Sequence, residues 1–168
     1  MPLTVNKQKG FTLVEVLVAV FILAIGLMGL ASLQVMSVKT NQSAYYRSQA
    51  SILAYDILDR MRANRNAFLT GAYDNVDTDN DPESDQGCYD NDGCSADQLA
   101  DQDVREWTGY FRDVANAGAN FVPLIPGGKG TIAREGGDAT VTVIWEQDEW
   151  QGGDKVTAER QVQIVVRI

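Results

Sequence analysis

The sequence has 168 residues, a formal net charge of −9 and no histidine. That length holds one small domain plus an extension, and the acidic balance does not suit a nucleic-acid-binding surface. Lacking histidine, the chain lacks the commonest general base and metal ligand. No nucleophile–base constellation stands out among its serines, aspartates and lysines, so enzyme activity is not expected.

Residues 1–10 carry Lys7 and Lys9 as their only side-chain charges. Basic residues ahead of an apolar run predict a cytoplasmic N-terminus and an exported body. Residues 11–38 follow as an almost unbroken apolar segment. From Val16 to Ala31 every residue is apolar or glycine, and Glu15 is the only charge between Phe11 and Val38. The segment exceeds the ~20 residues needed to cross a bilayer. It is longer than the h-region of a secretory signal, and no A-x-A-like cleavage site follows it. Gly26 and Gly29 would weaken a helix in water but permit close helix approach in lipid.

Glu15 needs a reason to be there, since an intramembrane carboxylate is costly and marks a functional site by default. It lies one helical turn after Phe11, so the two share a face. A cut between Gly10 and Phe11 would create an α-amino group beside that face. An ammonium, its own or a neighbour's, would then pair with the carboxylate and drive helix packing.

The string Gln8-Lys9-Gly10-Phe11-Thr12-Leu13-Val14-Glu15-Val16-Leu17 resembles the class III leader and helix start of type IV prepilins and type II secretion pseudopilins. The resemblance implies that prepilin peptidase cuts after Gly10 and N-methylates Phe11. It also implies that Glu15 guides the subunit into the filament. Loss of Lys7 and Lys9 with the leader would take the charge from −9 to −11.

Residues 39–67 continue without a turn signal as the amphipathic second half of the same helix. Ala50, Leu53, Ala54, Ile57, Leu58 and Met61 recur at three- and four-residue spacing, which predicts a core-facing stripe. A helix over residues 11–67 would span roughly 80 Å, so half of it must lie in lipid or in a filament. Near its end Asp56 and Arg60 stand at i,i+4, and Asp59 and Arg62 at i,i+3. Arg60, Arg62 and Arg65 also suit the C-terminal dipole. The string containing Asp59, Arg60, Met61, Arg62, Ala63, Asn64 and Arg65 resembles a signature of minor pilins of the PilV type, the type IV pilus modification proteins.

Residues 68–98 read as a solvated acidic loop. From Ala72 to Val104 there are ten aspartates and no basic residue. Cys88 and Cys94 are the only cysteines, and export to an oxidising compartment predicts that they pair. Asp77, Asp79 and Asp81 resemble the start of a calcium loop. Against that, Pro82 stands where the turn glycine belongs and Cys88 where the bidentate glutamate belongs, so calcium is an option and no other cofactor is expected.

Residues 99–168 complete the domain with 39–67. Ser95-x-x-Gln98 is a capping-box spacing, and Leu99, Val104, Trp107, Phe111 and Val114 predict a helical stripe over residues 97–117. Strands are expected at 131–134, 139–146 and 160–168 from their period-two alternation, with Gly-rich turns between them. "LIPGGKGTI" and "VTVIWE" again resemble PilV-type proteins.

The expected fold is α+β and type IV pilin-like. A long N-terminal helix, transmembrane in its first half, packs in its second half on a C-terminal antiparallel sheet of three or four strands, with one additional helix. The resemblance implies a minor pilin acting at the pilus tip in assembly and priming. It would begin in the inner membrane with a periplasmic domain. Its partners would be other minor pilins, the major pilin, a tip adhesin, prepilin peptidase and the inner-membrane assembly machinery. A minor pseudopilin of type II secretion shares the leader and helix, and a signal-anchored periplasmic binding module is the reading from a different class.

Overall fold

The computed structural model describes residues 10–89, 93–152 and 154–168. The expected leader, residues 1–10, lies outside the described residues except for the exposed Gly10. The chain divides into two units, Met1–Gln42 and Ser43–Ile168.

Helix α1 runs over Leu13–Ala63. Its start is set by Thr12, whose Oγ1 accepts the Glu15 backbone N–H at 3.3 Å. Glu15 itself occupies the first turn, where the dipole favours an anion. In the first unit every described side chain is exposed, apolar ones included. α1 is long and apolar enough to cross a membrane, with a mean hydropathy of 2.7 in its most apolar window.

In the second unit, Ala50, Leu53, Ala54, Ile57, Leu58 and Met61 of α1 are buried, as their spacing predicts. The helix does not run unbroken to residue 67. It stops at Asn64, and a short helix α2, Arg65–Thr70, follows and closes at Gly71 in a left-handed conformation (φ 98°). The break has a physical cause: the Asn64 amide leaves the helix surface and donates to the Ala96 carbonyl at 2.7 Å and to the Tyr73 hydroxyl at 3.3 Å.

The expectation of a solvated loop over residues 68–98 is corrected for its first part. Val76–Asp77 forms strand β1, and Tyr73 and Thr78 are fully buried. The Thr78 backbone N–H donates to the Gly130 carbonyl at 3.0 Å, while its Oγ1 accepts the Gly130 N–H at 2.9 Å. Counting carboxylates hid these residues, because Tyr73 and Thr78 turn inward between aspartates that are half-buried or exposed.

Helix α3 spans Ala96–Thr108 and opens with the expected Ser95/Gln98 capping box. It ends at Gly109 and does not reach residue 117. Downstream, the Asp113 carboxylate accepts the backbone N–H groups of Ala115, Ala117 and Gly118, a local arrangement that competes with helix. The stripe also differs from expectation. Leu99 is exposed, and the buried face carries Ala100, Gln102, Asp103, Trp107 and Thr108.

Strands β2 (Lys129–Glu135), β3 (Asp138–Gln151) and β4 (Asp154–Arg167) complete a four-stranded antiparallel sheet in the order β1-β2-β3-β4. Ala139, Val141, Val143 and Trp145 of β3 face the core. β3 and β4 pair over all 14 residues each, beyond the reach of β2, whose last partner on β3 is Ile144. Trp107 joins the layers: its indole N–H donates to the Leu53 carbonyl at 2.9 Å. Its ring covers Gly130, where an added Cβ would lie 2.2 Å from the ring.

Candidate functional site

Two regions carry chemistry that packing alone does not require: the start of α1, and a polar cluster where α1 ends.

At the start of α1, Phe11 is 82% exposed, and Glu15 is exposed one turn later. Phe11, Glu15, Val16, Ala19 and Val20 line one shallow groove, so the aromatic ring and the carboxylate share a face. Among the described residues, Glu15 is the only ionisable side chain between Gly10 and Val38. A single carboxylate in an otherwise apolar segment offers one fixed point at which an ammonium can dock.

The second region gathers on Arg60. Its guanidinium donates to Asp56 at 3.2 Å, to Asp103 at 3.2 Å and to Glu106 at 2.7 Å. The last two partners come from α3. Tyr73 donates to the other Asp103 oxygen at 2.6 Å and accepts from Asn64. Tyr89, beside Cys88, donates to Glu106 at 2.5 Å, and the Gln102 amide donates to the same Glu106 oxygen at 3.1 Å. Gln102 also accepts the Gln86 backbone N–H at 3.0 Å. α1, α3 and the loop between them are thereby held by one connected network.

The electrostatics follow from these contacts. Burial works against the Arg60 charge, but the bonds to Glu106 and Asp103 and the field of Asp56 outweigh it and raise the Arg60 pKa. Burial alone would raise the Glu106 carboxyl. The bonds from Tyr89, Arg60 and Gln102 overcome that and hold it below its ordinary 4.5. Burial, reinforced by the bond to Asp103, pushes the Tyr73 hydroxyl well above its usual range. With Arg60 held charged, Glu106 held as carboxylate and the Tyr73 hydroxyl held protonated, the network is an ionic clamp between the helices.

The helix-end motif divides by role. Arg60 is the hub, Met61 is fully buried in the core, and Arg62 pairs with Asp59 on the surface at 2.8 Å. Arg65 opens α2 and is exposed. The i,i+4 pairing of Arg60 with Asp56 was readable from spacing. Asp103 and Glu106, 43 and 46 residues away, gave no local signal, and neither did Tyr73 or Tyr89. Asn64 stood in the family string, but the helix was expected to run on through it to residue 67.

Cys88 and Cys94 form a disulfide with Cα atoms 5.0 Å apart. The structure does not gather Asp77, Asp79 and Asp81 around a common point. Asp81 is paired with Arg112, Asp79 with Lys129 at 3.7 Å, and Asp77 lies in β1 and accepts the Asp79 N–H. Nearby, Asp74 is gripped by Arg134 at 2.5 and 2.7 Å, which lowers its pKa. Among the described residues, no group of three or more acidic or sulfur side chains is placed to hold a metal ion.

Comparison with known families gives two matches. Residues 5–31 match the prokaryotic N-terminal methylation motif, and residues 32–105 match the type IV pilin Tt1218 family. Searches of curated proteins and of solved structures returned no match. The matched ranges take in both regions described above, Glu15 in the first, and Arg60 with Asp103 in the second. The methylation motif covers the start of α1, the helix that is long and apolar enough to cross a membrane. The chain is thus similar to a prepilin methylation motif at its start and to the Tt1218 type IV pilin family over the segment that follows.

Proposed function

We propose that this chain is a type IV minor pilin of the PilV type, working with other minor pilins at the tip of a pilus to prime its assembly. Glu15, the lone charge in the exposed apolar segment, one turn from Phe11 and inside the methylation motif, carries the prepilin part of the reading; the resemblance of residues 59–65 to the PilV-type signature supports the minor-subunit part. Prepilin peptidase cuts between Gly10 and Phe11 and methylates the new amine. Glu15 then draws the helix against a neighbouring subunit's N-terminus, since a carboxylate and an ammonium in lipid each lose most of their cost by pairing. The major pilin, a tip adhesin and the inner-membrane assembly machinery are the further partners of this scheme.

The acidic segment works in it without a bound cation, because Arg112, Lys129 and Arg134 already offset Asp81, Asp79 and Asp74. Calorimetric titration of the protein with calcium is expected to give no heat. Saturable binding with a rise in Tm would contradict this.

Deleting the gene and counting surface pili, with exoprotein secretion measured in parallel, tests the proposal. Sparse or absent pili with normal secretion are expected. Normal pili with exoproteins trapped in the periplasm would make the chain a pseudopilin. Replacing Glu15 with Ala should leave the protein in the membrane while its entry into pili falls; unchanged incorporation would remove Glu15 from the mechanism.

A further inference from the structure

Strands β3 and β4 outrun the rest of the sheet. The last β2 partner on β3 is Ile144, and the Glu146 N–H still bonds the Pro126 carbonyl at 2.8 Å. Beyond that the two strands continue as a paired arm to Gln151↔Asp154, where Gly152 turns the chain at φ 65°.

Two contacts give the arm its direction. At the far end of α1, the Arg134 guanidinium lies 5.8 Å from the centre of the Phe68 ring of α2, and Arg134 pairs with Ala139 near the start of β3. Further back on α1, the Leu53 carbonyl accepts the Trp107 indole N–H, and the Trp107 ring covers Gly130, the partner of Val143. β3 therefore runs antiparallel to α1, and the arm points toward Ser43. Trp150 stands seven residues past Val143, about 23 Å along the strand. Ser43 stands ten residues before Leu53, only about 15 Å along the helix. The tip of the arm passes the Ser43 end of this unit by up to about 8 Å.

The sequence supplies what the tip meets there. The apolar run stops at Val38, five residues before Ser43, and a membrane-crossing helix leaves the hydrocarbon where its apolar run stops. Trp150 is 61% exposed, whereas Trp107 and Trp145 are 0% and 3% exposed. An indole has an apolar body and one N–H donor, and it favours the headgroup level of a bilayer. The arm's charges leave that approach open. Lys155 pairs with Asp148 at 2.8 Å and Arg160 with Glu149, and residues 150–155 carry one acid and one base.

We infer that the tip of the β3–β4 arm rests on the membrane surface before the subunit enters a filament, with Trp150 seated among the lipid headgroups. The arm then gives the domain a second point of contact with the bilayer besides α1, and holds it at one height above the lipid. The inference rests on the reading of α1 as a membrane-spanning helix.

The full chain, reconstituted in phosphatidylcholine vesicles, tests this by tryptophan quenching with phosphatidylcholine brominated near the carbonyl end of its acyl chains. Wild-type emission should fall. Trp150→Phe should abolish the fall, because the other two tryptophans are buried in the domain. Combining Trp150→Phe with Gln161→Trp moves the reporter back along the hairpin to the level of Ile144, and should also give no quenching. Both positions are exposed, so the thermal transition of either variant should match that of the wild type. Equal quenching of the wild type and Trp150→Phe, in chains that float with the vesicles, would overturn the inference. So would equal quenching with the reporter at 161, since the domain would then lie along the lipid by a whole face. A chain that does not float with the vesicles would overturn the membrane-spanning reading and the inference together.

Discussion

Arg60 serves three carboxylates from two helices, with its side chain 23% exposed and that of Asp103 9% exposed. Removing the cation while leaving its partners buried is the costly direction. Arg60→Met should therefore destabilise the domain by about 3 kcal/mol in chemical denaturation, although methionine fills much of the same volume. Tyr73→Phe is a milder probe: it deletes one hydroxyl and leaves Asp103 and Asn64 each short of a partner, for an expected loss of about 1–3 kcal/mol. A neutral result for both would mean that the network only decorates a helix contact already fixed by Trp107 and Met61. At this scale the sequence was half legible. Glu15 announced itself because a charge in an apolar run has no packing rationale. Asp103 and Glu106 did not, because an aspartate or glutamate on a helix in an acidic stretch reads as solvated until a cation from elsewhere in the chain is placed against it.

At the scale of elements, the disulfide and the α1–α3 clamp act on the same loop. Tyr89 follows Cys88 directly and bonds Glu106, and Gln86 bonds Gln102. Replacing Cys88 and Cys94 with Ser should cost about 2 kcal/mol, as befits a short closed loop. Combining that change with Tyr89→Phe should be less than additive, since both loosen one segment; strict additivity in a double-mutant cycle would separate the two devices. Helix α1, the alternation in β3 and the capping box at Ser95 were all readable, because each rests on local periodicity or spacing. The boundaries that moved depend on distant or competing partners. Asn64 ends α1 early because Ala96 and Tyr73 claim its amide, Asp113 gathers the N–H groups that would have continued α3, and β1 exists because Gly130 lends its backbone to Thr78. Leu99 was misplaced because the buried face of α3 is partly polar, a pattern that hydrophobic periodicity cannot detect.

For the whole molecule, the shifted groups set the pH limits of the fold. Glu106 and Asp74 have depressed pKa values, so their contribution is complete above their ordinary values of 4.5 and 3.8 and is lost as pH falls through the lower folded values. Tyr73 is raised above 10.0; its contribution is present below that value and is lost as pH rises through the folded one. Tm should therefore plateau from about pH 5 to about pH 9 and fall on both sides. Asp101 works in the opposite sense. Burial and the nearby Glu83 and Asp97 raise its pKa, so its charge is a liability at neutral pH. Asp101→Asn should raise Tm at pH 7, with the gain shrinking toward pH 4 as the wild-type carboxyl takes up its proton. A lower Tm at pH 7 would show that Asp101 has a favourable partner.

Processing as a prepilin would leave a free Phe11 amine to act together with Glu15. Mass spectrometry of the mature protein, isolated from membranes and sheared pili, tests this most directly. The expected N-terminal peptide begins at Phe11 and carries one methyl group on its amine. A chain still beginning at Met1, or one cut near residue 38, would contradict it.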